Sequence, residues 1–72
     1  MNEKDFMSKI REILDNESVT MDSVLADIDE WDSLSAVSFI AFANSSCGKM
    51  LMPDKVWECT TVRGLYGLLS AE

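Results

Sequence analysis

Histidine is absent from the sequence, and cysteine is limited to Cys47 and Cys59. Without histidine, the chain lacks the usual base that activates a serine or cysteine nucleophile, and it also lacks a common zinc ligand. The two cysteines do not form the CxxC spacing of zinc and redox sites, so we interpret them as reduced, mostly buried thiols. The sequence therefore predicts no metal site and no catalytic residue.

Positive charge is scarce, because six basic residues face thirteen acidic ones and give a net charge of −7. Nucleic-acid binding depends on clustered Lys and Arg, and an anionic membrane would repel such a chain. The sequence has no apolar run of about 18 residues, and its opening MNEKDFMSKI is charged where a secretory signal is apolar. We expect a cytoplasmic monomer with no nucleic-acid or membrane partner.

Apolar residues are plentiful, at 47% of the chain, and are sufficient for a globular core. A domain of this size hides only about 60% of the surface of its unfolded chain, so a deep catalytic cleft is not expected. No repeat, low-complexity tract or Gly/Ser linker divides the sequence. We expect a single domain over residues 1–72, with all of its net negative charge in residues 1–32.

The first helix is expected from about Asp5 to Asp15, with Asn2 as its N-cap. Its apolar residues fall at i, i+4, i+7 and i+8: Phe6, Ile10, Ile13 and Leu14. Residues 16–32 show no sustained helical periodicity and carry isolated apolar residues among acids. A loop this long is uncommon in a compact domain, so we expect those apolar residues to fix it to the core.

A second helix is expected from Ser33 to Ser46, with Asp32 as its N-cap and Gly48 as its end. One side of this helix carries Val37, Ile40, Ala41 and Asn44. Pro53 suits the first turn of a short third helix that ends at Trp57 or Glu58.

A closing helix follows Thr60 or Thr61, either of which is a suitable cap. Its apolar residues are Val62, Leu65, Tyr66 and Leu69. No segment shows the alternation of a half-buried strand. The fold class is therefore all-α, a small four-helix bundle with a long first loop and a short third helix.

The most distinctive segment is Asp29-Glu30-Trp31-Asp32-Ser33-Leu34-Ser35, where the acidic loop meets the second helix. A serine at a helix N-terminus lies near free backbone N–H groups and the positive end of the helix dipole. Both features favour a phosphate ester on Ser33. The alternative is that Ser33 only begins the helix and Asp32 only caps it.

This segment resembles the acyl carrier protein family, in which Asp-Ser-Leu stands at this junction, and especially discrete bacterial carriers with Trp-Asp-Ser-Leu. The order of the helices is similar too, as are Pro53 after helix two and Thr60-Thr61-Val62 before the last helix. The resemblance implies that Ser33 bears 4′-phosphopantetheine, transferred from coenzyme A by a phosphopantetheinyl transferase. The chain would hold an acyl or related carboxylic acid cargo as a thioester for acyl-loading and acyl-transferring enzymes, without catalysing a reaction itself.

The resemblance also assigns roles to residues near Ser33. Asp32 would cap helix two and form part of the acidic surface that a basic transferase recognises. Leu34 would face solvent and contact partners, the alternative being a buried Leu34. Further candidates for the partner-facing surface are Trp31, Ser35 and Phe39.

In fatty-acid carriers, helix two usually displays acidic residues to basic partner enzymes. Helix two of this sequence differs from that pattern. From Ser33 to Pro53 there is no acid and only one base, Lys49. We therefore expect docking through apolar contacts or through the acidic loop, and a specialised biosynthetic pathway.

Helix two is apolar almost all round, which is compatible with core packing, a partner-facing patch or an acyl pocket. Bulk at Phe39 and Phe42 could close such a pocket against a long chain. The cargo stays open among fatty acyl, polyketide and amino-acid groups. The competing function is an unmodified helical module that binds a protein partner.

Overall fold

A computed structural model describes residues 2–70, which fold into four α-helices. Helix α1 spans Glu3–Leu14, α2 spans Ser33–Cys47, α3 spans Pro53–Trp57 and α4 spans Val62–Ser70. The connection between α1 and α2 contains one 3-10 turn, Leu25–Asp27, and the described residues contain no β-strand. The all-α class, the long first loop and the short third helix are therefore confirmed. No helix within residues 2–70 has the length and apolar character needed to cross a membrane.

The ends of α1 and α2 follow from capping chemistry. The side-chain oxygen of Asn2 accepts a hydrogen bond from the backbone N–H of Asp5 at 2.8 Å, so α1 begins at Glu3, two residues before the expected start. Asp15 ends α1 in the left-handed conformation, with φ 51°. Gly48 ends α2 with φ 65°, where a residue with a Cβ would be strained.

The core draws side chains from all four helices. The largest side chains that are less than 2% exposed are Phe6, Ile10, Leu14, Phe39, Val56, Val62 and Leu65. At its centre, the rings of Phe6 and Phe39 meet edge to face with centroids 6.4 Å apart, an arrangement that aromatic pairs prefer. The short helix α3 contributes Val56, which is completely buried.

The loop between α1 and α2 is fixed to the core, as expected from its isolated apolar residues. Four of these side chains are buried: Val19, Met21, Leu25 and Ile28. The loop also bonds to the start of α4, whose first N–H groups have no partner within the helix. The carbonyl of Ser23 accepts from the N–H of Val62 at 3.1 Å, and the carbonyl of Met21 accepts from the N–H of Arg63 at 2.8 Å.

The buried side of α2 could not be identified from its sequence. Of the four residues expected to share one side, Val37, Ala41 and Asn44 are exposed, and Val37 is 63% accessible. The fourth, Ile40, is partly buried against the core. The buried residues are Ala36, Phe39, Phe42 and Ala43. Because both sides of the helix are apolar, periodicity did not distinguish the core-facing side from the outer one.

Phe39 was expected among the partner-facing residues, and that prediction is wrong. Its side chain is completely buried and contacts the rings of Phe6 and Phe42, each with centroids 6.4 Å away. A ring held in this way supports the helix from inside, and a partner at the surface cannot reach it in this conformation.

Phe39→Ala should therefore destabilise the fold severely. Truncating a fully buried phenylalanine costs about 3–5 kcal/mol, which is close to the whole stability of many small domains. Val37→Ala, on the exposed side of the same helix, should change stability by less than about 0.5 kcal/mol. Urea denaturation followed by circular dichroism would measure both, and equal losses for the two variants would contradict this packing.

Candidate functional site

The start of α2 is defined by the side chain of Asp32. Asp32 itself is extended, with φ −142° and ψ −169°, and its Oδ1 accepts from the backbone N–H of Ser35 at 3.0 Å. This is the N-cap that the sequence predicts. The Ser35 N–H is the main reason that the pKa of Asp32 lies below its ordinary value. Partial loss of hydration opposes this shift, while the Ser35 hydroxyl and the Leu34 N–H add to it.

Ser35 joins the helix to the acidic loop that precedes it. Its hydroxyl donates to the backbone carbonyl of Glu30 and lies 3.2 Å from Oδ1 of Asp32. The Glu30 carboxylate in turn accepts from the side-chain amide of Asn16 at 3.1 Å. The Ser35 hydroxyl thus holds the junction together. A role of Ser35 in partner contact stays a prediction.

Ser33 occupies the first position of α2 and is exposed. Its hydroxyl makes no hydrogen bond to any residue within 2–70. The hydroxyl is therefore accessible to an incoming reagent, and its removal would leave no partner unsatisfied. Next to it are the N–H groups of the first turn, which attract a negatively charged group.

The side chain of Leu34 points into solvent. It is 79% exposed, so the alternative of a buried Leu34 is wrong. An apolar residue in this position, beside an accessible hydroxyl, is available to anything that approaches Ser33. Whether it contacts a partner stays a prediction.

Trp31 lies in the loop just before Asp32 and is half-buried against the core. Its ring meets the ring of Trp57 with centroids 5.8 Å apart and planes at 64°. Trp57 is the last residue of α3 and is half exposed. This contact links α3 to the loop beside Ser33, and no spacing in the sequence pointed to it. A role of Trp31 in partner contact stays a prediction.

Charge near the junction is unevenly placed. Four exposed acids precede Ser33 at close range: Asp27, Asp29, Glu30 and Asp32. Helix α2 itself carries no charged residue over its whole length. The acids are not gathered into a metal site, since the described part of the chain holds no group of three or more residues that could bind a metal ion.

The chain was compared with protein-family models, with curated proteins and with solved structures, and no match was found.

The Ser33 hydroxyl has no obvious base beside it to remove its proton. The chain has no histidine, and the carboxylate of the adjacent residue, Asp32, already accepts hydrogen bonds from Ser35. Activation of the Ser33 hydroxyl as a nucleophile would therefore need a base from outside the described residues.

Asp32 contributes to stability as an N-cap and through its negative charge, and substitutions can separate these two contributions. Asn is as good an N-cap as Asp, so Asp32→Asn should keep most of the stability at neutral pH, whereas Asp32→Ala should lower the melting temperature clearly. Because the folded-state pKa of Asp32 is lowered, the stability contributed by its charge is present above about pH 4 and is lost as the pH falls through the folded pKa.

Thermal unfolding from neutral to acidic pH would test this separation. The difference between wild type and Asp32→Asn should shrink below about pH 4, while the difference between Asp32→Asn and Asp32→Ala should stay constant. A wild-type advantage over Asp32→Asn that does not change with pH would show that the charge of Asp32 contributes nothing.

Proposed function

We propose that this chain is a carrier protein of the acyl-carrier type, with 4′-phosphopantetheine attached to Ser33. One observation carries the proposal: the Ser33 hydroxyl is exposed, makes no hydrogen bond within residues 2–70, and begins a capped helix directly after an acidic loop. The order of helices and the Trp31-Asp32-Ser33-Leu34 motif support it through their resemblance to the family.

The residues around Ser33 fit a phosphodiester at that position. The first-turn N–H groups of α2 carry partial positive charge, which offsets part of the repulsion between the phosphate and the Asp32 carboxylate. The Asp32 carboxylate is also engaged by the Ser35 N–H. No charged side chain lies on α2 to compete for the phosphate or to repel it.

The attachment itself requires a second protein. The Ser33 oxygen would form a bond to the phosphorus of coenzyme A that bears the pantetheine. The pyrophosphate bond of coenzyme A would break and release adenosine 3′,5′-bisphosphate, and the hydroxyl proton would pass to a base of the transferase. The attached arm supplies a thiol that holds a carboxylic acid as a thioester. The part played by this chain is to keep Ser33 accessible and to present the loaded arm to partner enzymes.

The same features support proposals about the compartment, the oligomeric state and the pathway of this carrier. We place it in the cytoplasm as a monomer that serves acyl-loading and acyl-transferring enzymes in a specialised biosynthetic pathway. The uncharged α2 supports this view, since it lacks the acids through which fatty-acid carriers of the family usually meet basic partners. Its cargo stays open among fatty acyl, polyketide and amino-acid groups.

The second candidate is a helical module that binds a protein partner without being modified. It is favoured by exposed apolar residues in and after α2, namely Leu34, Val37, Met50 and Met52, which are 63–83% accessible. Such a surface serves protein contact whether or not Ser33 carries an arm.

Intact-protein mass spectrometry distinguishes the two functions. The purified chain, with coenzyme A and a broad-specificity phosphopantetheinyl transferase, should gain the mass of one phosphopantetheine, and Ser33→Ala should gain nothing. Ser33→Ala should also unfold at nearly the same temperature as wild type, because the hydroxyl has no internal partner to lose.

A second variant controls for position. Ser38→Ala removes another exposed serine from the same helix and should leave the mass gain intact. If several transferases fail to modify the folded wild-type chain, the interaction module is the better account. Modification of Ser33→Ala would contradict the assignment of the site.

A further inference from the structure

The methionines of this chain differ sharply in exposure. Met7 and Met21 belong to the core and are 7% and 6% exposed. Met50 and Met52 are 83% and 64% exposed and lie in the connection between α2 and α3. A thioether must be reached by an oxidant before it can form a sulfoxide, so the accessible methionines of residues 2–70 are concentrated in this one connection.

The backbone brings Met50 back beside the end of α2. The chain reverses at Gly48, whose N–H donates to the carbonyl of Asn44 at 3.1 Å. The N–H of Lys49 donates to the carbonyl of Ala43, also at 3.1 Å. The side-chain amide of Asn44 then donates to the sulfur of Met50 at 2.8 Å. The chain reversal therefore gives this thioether a fixed polar neighbour.

Met52 has the same chemistry without that neighbour. Within residues 2–70 its sulfur makes no hydrogen bond, and its backbone carbonyl accepts from the N–H of Lys55 at 3.0 Å at the start of α3. The two exposed methionines therefore form a matched pair. Both can be oxidised, but only Met50 lies against a side-chain donor.

The contact between Asn44 and Met50 is weak in the thioether state. A thioether sulfur is a poor acceptor, whereas a sulfoxide is polar and carries an oxygen that accepts hydrogen bonds strongly. The side-chain amide of Asn44 has two N–H donors, and Asn44 is exposed, so it can turn towards a new oxygen on the sulfur.

We propose that Met50 is a reversible oxidation site whose sulfoxide oxygen takes over the hydrogen bond from Asn44 and holds the chain reversal after α2 more firmly. Hydrogen peroxide is the oxidant: a lone pair of the sulfur forms the S–O bond, the O–O bond breaks, and water leaves. The sulfur is oxidised and the peroxide is reduced. In the reverse step a methionine sulfoxide reductase uses a dithiol, which becomes a disulfide while the oxygen leaves as water. This proposal does not depend on the carrier function.

Peptide mapping after a short treatment with hydrogen peroxide tests the site. Trypsin places Met7 in peptide 5–9, Met21 in peptide 12–49, and both exposed methionines in peptide 50–55, where fragmentation separates them. Met50 and Met52 should oxidise about tenfold faster than Met7 and Met21, because the core shields the latter two. Equal rates for Met7 and Met50 would overturn the assignment.

Amide hydrogen exchange, followed by NMR, tests the new hydrogen bond. In Met52→Leu, peroxide can modify only Met50 among the exposed methionines of residues 2–70. The N–H groups of Gly48 and Lys49 should then exchange about threefold more slowly after oxidation, because a stronger tether makes local opening rarer. Met50→Leu, oxidised at Met52, is the matched control and should show no slowing.

Asn44→Ala in the Met52→Leu background identifies the donor. Asn44 is exposed and alanine favours helix, so this variant should fold, and its exchange rates should be the same before and after oxidation. Faster or unchanged exchange after oxidation of Met50, slowing that persists without the Asn44 amide, or equal slowing from Met52 would each overturn the proposal. Treatment with reductases for both sulfoxide epimers should restore the original rates, and a failure to restore them would contradict reversibility.

Discussion

The structure depends on how the loop between α1 and α2 is held. In the described structure, the loop buries four apolar side chains, and two of its backbone carbonyls accept hydrogen bonds from N–H groups in the first turn of α4. The N–H groups of that turn would otherwise lack partners, so one set of bonds both begins α4 and orders the loop. Arg63 and Asp22 add an ion pair at 3.1 Å across the same contact, but both side chains are exposed and the pair contributes little. The ordered loop ends at Asp32, whose cap places Ser33 at the first position of α2.

The sequence predicted the elements well where local chemistry determines them. Asn2, Asp32 and Gly48 act at helix ends as expected, because a cap needs only its own side chain or backbone and a few neighbouring residues. The fixed loop could be predicted from its isolated apolar residues. The exposed Leu34 was expected from the family resemblance.

Tertiary contacts account for the features that the sequence did not predict. Helix α2 is apolar on both sides, so its own pattern could not show that Phe39 packs on Phe6 while Val37 faces solvent. The contact between Trp31 and Trp57 joins two segments far apart in the chain, and the hydroxyl of Ser35 could equally have faced outwards. Contacts with residues elsewhere in the fold determine which of these side chains are buried, and a single sequence does not reveal those contacts.

The fold separates two kinds of surface around one accessible hydroxyl: an acidic loop before Ser33 and an uncharged, apolar helix after it. The most direct test of the central claim is peptide mapping of this protein isolated from the cells that make it. No Lys or Arg lies between Arg11 and Lys49, so trypsin would release Ser33 in the peptide 12–49. Fragmentation of that peptide should locate phosphopantetheine on Ser33 and on no other serine. A peptide that is entirely unmodified, or modified only at another serine, would contradict the account.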